Sequence, residues 1–580
     1  MSQQSFLRRY VFSTDHKVIG IQYIATGFAM AVVGALLAVL IRMQLGWPTT
    51  LHPWLETLMP IGYMGGVMSP EFYIAVVTMH GTIMVFFFIS YVLVSGFGNF
   101  LVPLQVGARD MAFPFLNMLS YWVGLLSALV MLASFFVEGG AAASGWTAYP
   151  PLSAIESASP GSGLGQSVWL LSMALFIASF TMNGLNIVAT IFALRAPGMS
   201  MWRLPLTVWS YFISAILGLL AFPPLTAAAI MLLFDRHLGT SFFLPGGLVI
   251  ANQVLPFQGG SPLLWQHLFW FLGHPEVYVL ILPALGITAD LLPVFTRKPV
   301  FGYRISVWCL VAVGVLSMVV WGHHMFVSGM SPFTGEYFSL ATLLITIPMA
   351  IYGVNMMASL WGGRMRLDPP MLFALGSLAL FGSGGFGGIF LGNATADMQL
   401  HDTYFVVGHF HLMIGGVTLL ATFAAVYFWF PKMFGREMSP WLGRIHFWGT
   451  FAPFFTIFFA QHFLGLQGMP RRYYAFTTYE FLEGTQGQNV FISVVALLLV
   501  AVQVVFAVNV IWSALRGRVA EANPWRATTL EWTVPSPPPH GNFGATDPAV
   551  HRWPYEYSVD GQRSDYAPQT VDRDEVPVTA

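Results

Sequence analysis

Twelve apolar runs, each long enough to cross a lipid bilayer as a helix, limit what this chain can become. They lie near residues 19–42, 73–103, 112–136, 168–195, 202–234, 264–292, 303–324, 337–361, 371–392, 403–430, 442–465 and 489–515. A helix needs about 20 apolar residues to span the hydrocarbon core, where every backbone polar group must find its partner inside the protein. The expected fold is therefore all-α: a polytopic membrane protein, a bundle of about twelve transmembrane helices. Only 8% of the 580 residues are charged, against roughly 25% in soluble domains. The length thus reads as one bundle and not as several soluble units.

The chain divides into a segment at 1–18, the helical domain at 19–516 and a tail at 517–580. The tail, with SPPPHGNF and mixed charges, reads as extended or disordered. The opening MSQQSFLRRYVFSTDHK has no apolar stretch and no cleavage site, so it does not read as a removable signal. The single cysteine, Cys309, leaves no internal disulfide and no thiolate metal cluster. A net charge of −1 says little about partners; membrane lipid is expected, and no nucleic acid.

Basic residues set the orientation. With the N-terminus inside, sixteen Lys and Arg residues fall on inner segments from Arg8 to Arg518, and only Arg42, Arg236, Arg471 and Arg472 fall outside. By the positive-inside rule both termini are cytoplasmic.

Histidine is costly inside a bilayer and usually marks a site. Here it recurs at His80, His274, His323, His324, His409 and His411. His80, His274, His409 and His411 sit roughly 9–15 Å below the outer ends of their spans, and His323 and His324 close the outer end of the seventh. One buried histidine is commonly satisfied by a backbone carbonyl, but six at one depth are poorly explained that way. Within HDTYFVVGHFH (401–411), His409 and His411 point to nearly opposite sides of a helix that turns about 100° per residue. Such a pair cannot chelate one metal, but it can serve two centres. Two imidazoles from different helices can clamp a six-coordinate haem iron, one leaves a position open to a small ligand, and three suit copper. A membrane redox enzyme is the expected class. The alternative of a different class, a metal-free transporter, would show no visible absorption.

Six runs carry a resemblance: TMHG (78–81), GNFLVPLQVGARDMAFP (98–114), QHLFWFLGHPEVYVLILP (266–283), WGHHMF (321–326), HDTYFVVGHFH (401–411) and QHFLGLQGMPRRY (461–473). In this order they resemble subunit I of the haem-copper oxidases, of the A-type cytochrome c oxidase branch with the GHPEVY motif. The resemblance implies a terminal respiratory oxidase that oxidises cytochrome c, or a c-type cytochrome domain, and reduces dioxygen to water with proton translocation. It makes His80 and His411 the axial ligands of a low-spin haem, and His409 the ligand of a high-spin haem; haem A is expected for both. His274, His323 and His324 would hold copper B. Tyr278, four residues beyond His274 and so on the same helix face, would be the tyrosine that the family links to this histidine. Arg471, Arg472, Trp146 and Arg42 would contact the haem edges. His401 and Asp402 match a magnesium pair completed by subunit II, and subunit III is a further expected partner. The expected location is a bacterial inner membrane.

The same resemblance makes Asp110 the mouth of a D-type proton path and Glu276 its far end, with Asn99, Asn117 and Ser179 along the way. An intramembrane acid such as Glu276 suits a group that passes protons. The match fails at two points. Gln44 and Ala475 replace the acids of a calcium or sodium site, so none is expected. The family's second proton path usually holds a lysine, a threonine and a serine, where this chain has Tyr352, Met349 and Ala289. Uncharged hydroxyls and water would then carry it, through Tyr352 and Thr288 with Asp290 at the inner end. A quinol oxidase of the same fold is the closest alternative, but the stretches around Val33, Leu37, Phe72 and Ala75 lack the polar residues of quinol-using members.

Overall fold

The computed structural model describes residues 5–60, 62–156, 158, 163–250, 252–544, 546–559 and 564–572. Its core is α1 (His16–Gly46), α2 (Pro70–Val106), α3 (Pro114–Phe136), α4 (Leu164–Ala193), α5 (Leu206–His237), α6 (Pro262–Thr296), α7 (Tyr303–Ser317), α8 (Pro332–Leu360), α9 (Pro369–Leu391), α10 (Tyr404–Phe434), α11 (Pro440–Leu466) and α12 (Glu480–Arg516). Among the described residues, eleven are long and apolar enough to cross a membrane, and α7 is the shorter exception. Four of them begin with Ser-Pro: Ser69, Ser261, Ser331 and Ser439 each accept a backbone N–H of the first turn, while the proline that follows presets the helical φ. Gly107 and Gly435 end α2 and α10 in the left-handed conformation that glycine takes freely.

The helix α6 is the axis of the molecule. In its most apolar stretch 94% of residues are buried, against 11% in α12, which faces outward. It packs against α5, α9, α10 and α2. Two helices widen into π-type turns, α2 over Ile83–Gly96 and α10 over His411–Gly416; such turns collect at functional sites. Both begin within a few residues of a histidine.

The expected seventh span, 303–324, is not one α-helix. After Ser317 the chain tightens into a 3-10 turn, Trp321–Met325, which carries His323 and His324. A Cβ on Gly322 would fall 2.3 Å from the Phe338 ring of α8, so the backbone approaches α8 as only glycine permits.

The packing of the tail was not part of the expectation. It is extended, with one 3-10 turn at Leu530–Thr533, and part of it packs on the bundle. Leu530, Trp532, Tyr555 and Tyr557 are buried. Arg297 donates to the carbonyls of Trp525 and Arg526 at 2.6 and 2.8 Å. Five aromatic side chains, Trp525, Trp532, Trp553, Tyr555 and Tyr557, give this segment the apolar surface that its prolines and charges obscure. It covers the end of the bundle that carries Asp110. Two small antiparallel hairpins, pairing Tyr63 with Met68 and Val249 with Val254, sit in loops at the opposite end, which carries Asp402.

Candidate metal centre

One cavity of about 1630 Å³ extends from Asp402 and Arg471 down to Ile24 and Phe434, well above the roughly 300–1,000 Å³ of ordinary ligand pockets. His80, His274, His323, His324, His409 and His411 all line it. Six histidines from α2, α6, α10 and the turn after α7 therefore share one space.

Two of them face each other. His80 Nδ1 donates to Gly34 O of α1 at 2.8 Å, and His411 Nδ1 to Val407 O at 2.9 Å. These bonds leave both Nε2 atoms as the free ligand atoms. The rings lie 12° from parallel with centroids 6.4 Å apart, a gap that accepts two metal–nitrogen bonds of about 2 Å. Phe458 stacks on His411 at 4.1 Å and holds its plane. His409 turns to α9 instead, where its Nδ1 donates to Gly384 O at 2.9 Å. A Cβ on Gly387 would fall 2.9 Å from that nitrogen, so α9 makes room for the ring.

The remaining three converge. Ligand nitrogens of His274, His323 and His324 all lie within 4.8 Å of one another. His323 Nε2 is 3.1 Å and His274 Nδ1 3.3 Å from His324 Nε2. Thr342 Oγ1 holds His323 Nδ1 at 2.9 Å, and Trp270 stacks on His324 at 3.8 Å. Three imidazoles aimed at one point, with no carboxylate among them, fit a copper ion. Tyr278 lines the same cavity, its ring 5.0 Å from that of His274, whose buried Nε2 has no hydrogen-bond partner among the described residues.

Charge gathers at the Asp402 end. Arg471 pairs with Asp402 at 2.5 Å, yet Arg471 Nε and Arg472 Nη2 are buried without partners among the described residues. Burial and the neighbouring Arg471 pull the Arg472 guanidinium down to about 10. Such unspent guanidinium donors at a cavity wall fit the carboxylates of a haem edge, and Trp146 and Arg42 share that wall. Arg42 is fixed to α12 through Ser493 Oγ at 3.1 Å and Asn489 O at 2.8 Å, with Nη1 left over. His401 and Asp402 sit side by side, His401 Nε2 3.9 Å from Asp402 Oδ2. Asp397 is an addition: its carboxylate holds His401 Nδ1 at 2.9 Å. The i, i+4 spacing in DMQLH was the available signal for it.

Glu276 lines the cavity with one oxygen 3.5 Å from Ser90 Oγ and the other unpartnered among the described residues. Toward Asp110, Asn99 Nδ2 donates to Asn183 Oδ1 at 2.9 Å, and Ser120 Oγ to Asn117 O at 2.7 Å. Ser179 Oγ donates to Ser120 O at 2.7 Å and meets Tyr23 OH at 3.1 Å. Tyr23, Ser120 and Asn183 join this group without having been singled out in the sequence, because isolated hydroxyls and amides in apolar helices carry no motif. Burial raises the Asp110 carboxyl above its ordinary range, against an opposing pull from His16. On the α6–α8 side, Tyr352 OH donates to Leu285 O at 3.2 Å and Thr288 Oγ1 reaches Ser377 Oγ at 3.5 Å. Tyr352 and Thr288 do not bond each other.

A six-histidine cavity inside a twelve-helix bundle defines a haem-copper oxidase, and the chain belongs to the cytochrome c and quinol oxidase polypeptide I family, which it matches over residues 18–498. It is 49% identical to the alternative cytochrome c oxidase subunit 1 of Bradyrhizobium diazoefficiens, over 98% of this chain and 93% of that protein. It is 40% identical to cytochrome c oxidase subunit 1 of Cereibacter sphaeroides, over 93% of this chain and 95% of that one. The corresponding protein of Thermostichus vulcanus is 39% identical, over 95% and 93%. A heme-copper terminal oxidase dimer solved by cryo-EM shares the fold, with a TM-score of 0.67 and 22% identity over 87% of this chain and 85% of that one. The chain is thus the catalytic subunit of a multi-subunit haem-copper oxidase, a family that implies haems and copper B.

Proposed function

We propose that this subunit takes electrons from cytochrome c, or from a c-type cytochrome domain, and reduces dioxygen to water while translocating protons. The observation that carries the reading is the division of labour in one cavity: an opposed His80–His411 pair, a separate His409, and a three-histidine cluster. In this reading His80 and His411 hold the low-spin haem, His409 the high-spin haem, and His274, His323 and His324 copper B. When bound, these groups supply the electrons for dioxygen reduction. Tyr278 offers a hydroxyl beside His274, and Glu276 holds a proton below it. Arg471, Arg472 and Trp146 orient the haem carboxylates. The spare Arg42 Nη1 suits a polar substituent on the low-spin ring, which favours haem A. His401 and Asp402 would take magnesium at the interface with subunit II; subunit III completes the proposed assembly. The sixteen-to-four division of basic residues supports cytoplasmic termini in a bacterial inner membrane.

Protons would enter at Asp110 and pass Asn99, Asn117 and Ser179 to Glu276, with a lesser input through Thr288 and Tyr352. The donor reading is supported by the names of three relatives, all cytochrome c oxidase subunits.

Turnover of the holoenzyme with reduced cytochrome c against quinol tests the donor, and faster quinol turnover would replace it. For the metals, His324→Ala is expected to lose copper and oxygen reduction while keeping the low-spin haem spectrum. His411→Ala is expected to lose that spectrum. Normal copper in folded His324→Ala protein would sink the copper assignment.

A further inference from the structure

The tail reaches the mouth of the Asp110 route. Gly541 and Asn542 have φ of 75° and 60°, a left-handed turn that glycine and asparagine tolerate. It drives the Asn542 side chain inward, where it is fully buried. One bonding pattern satisfies the whole amide. Nδ2 donates to Ala108 O of the α2–α3 loop and to His16 Nε2, both at 2.8 Å. Oδ1 accepts from Lys17 Nζ at 2.8 Å. His16 Nδ1 then donates to Asn99 O at 2.7 Å. Hydrogen bonds run from Asn542 through His16 to the backbone carbonyl of Asn99, the residue whose side chain donates to Asn183 Oδ1, with a branch from Asn542 to the carbonyl two residues before Asp110. No other side chain in the described tail bonds both the start of α1 and this loop.

We propose that Asn542 is a positioning residue of the proton route: by fixing His16 and the Ala108 carbonyl together, it keeps Asp110 and Asn99 in register and makes the tail part of the proton input. The inference rests on the D-type route proposed above. Losing one net hydrogen bond at the mouth is expected to slow proton uptake about fivefold.

The test uses the holoenzyme in vesicles and times proton uptake from the Asp110 side. Asn542→Leu removes every bond of the amide, and Asn542→Ser shortens the reach while sparing the fold. Either is expected to slow uptake with metal content and dioxygen binding unchanged. Asp110→Asn is the control. Because both residues would act on one route, Asp110→Asn/Asn542→Leu is expected to be no slower than Asp110→Asn alone. Multiplied slowing would place Asn542 outside the route and overturn the proposal. Wild-type uptake in both Asn542 variants, with Asp110→Asn slow, would overturn it while sparing the route. An Asp110→Asn protein with normal uptake would remove the route itself, and the proposal with it.

Discussion

Below Glu276 two polar regions lead toward the Asp110 end, and they are built on opposite terms. Along α2, α3 and α4, Asn99 Oδ1 and both side-chain atoms of Asn117 are buried without partners among the described residues. Buried amides of that kind bind ordered water and can exchange it. On the α6 side facing α5 and α8, Asp290 and Tyr352 are already taken. Leu206 N and Thr207 N at the start of α5 donate to the Asp290 carboxylate, and Tyr555 OH of the tail donates to it as well. Tyr352 is spent on a backbone carbonyl. The comparison teaches that a buried polar residue is a candidate carrier only when its hydrogen bonds can be remade. Asp290 reads on these terms as the cap of α5, where a carboxylate meets free helix N–H groups.

The largest expected effect falls where the open region meets the cavity. Glu276 has one weak partner, so Glu276→Gln removes a proton carrier without disturbing packing. Turnover is expected to fall roughly a hundredfold or more, in the range of a lost acid-base group, with haem and copper content unchanged. Turnover near wild type would break the comparison at its centre. Asp110→Asn comes next, with proton uptake slowed about tenfold, the scale of a hydrogen bond to a charged group. Metal analysis alongside separates this from misassembly.

How much of this was legible in the sequence follows from the same distinction. The histidines could be read because bilayer cost and helical geometry act on each residue separately: the opposition of His409 to His411 needs only about 100° per residue, and the structure sends them to α9 and to the His80 gap respectively. The open region was half legible. Asp110 and Glu276 sit in motifs, whereas Tyr23, Ser120 and Asn183 acquire meaning from neighbours 59 to 156 residues away. The tail's packing was not legible because its prolines and charges outweighed aromatics whose packing partners lie on other helices. The break after α7 was hidden because its cause, Gly322 against Phe338, is a contact between helices.

The α6–α8 region predicts smaller effects. Tyr352→Phe is expected to slow the proton uptake linked to reducing the copper site about fivefold, the scale of one hydroxyl, and to spare dioxygen binding. A tenfold or greater loss would make this region the equal of the other. Asp290→Asn keeps an acceptor for Tyr555 but weakens the α5 cap. It is expected to cost about 1 kcal/mol of thermal stability and to leave proton uptake unchanged. Lost uptake in a stable Asp290→Asn protein would return Asp290 to the carriers.

The smallest expected effect concerns how the tail is fastened over each region. Above the α6–α8 side it is held by Tyr555, a hydroxyl that does not titrate in the acid range. At the Asp110 mouth charge joins the Asn542 amide in holding it: Asp15 pairs with Lys17 at 2.9 Å and with His540 of the tail at 3.1 Å. Burial alone would raise the Asp15 carboxyl, but His16, Lys17 and His540 prevail and hold it at about 2, below its ordinary 3.8. A depressed carboxyl stabilises the folded state fully above the unfolded value and loses that contribution as pH falls through the folded one. The fastening is therefore expected to weaken between about pH 4 and pH 2. Brief protease exposure over that range checks it: cleavage near His540 is expected to rise on acidification, while cleavage near Tyr555 stays flat. Asp15→Asn is expected to abolish the pH dependence at His540. Equal release at both places would mean that the tail lifts as one piece and that its two attachments do not differ.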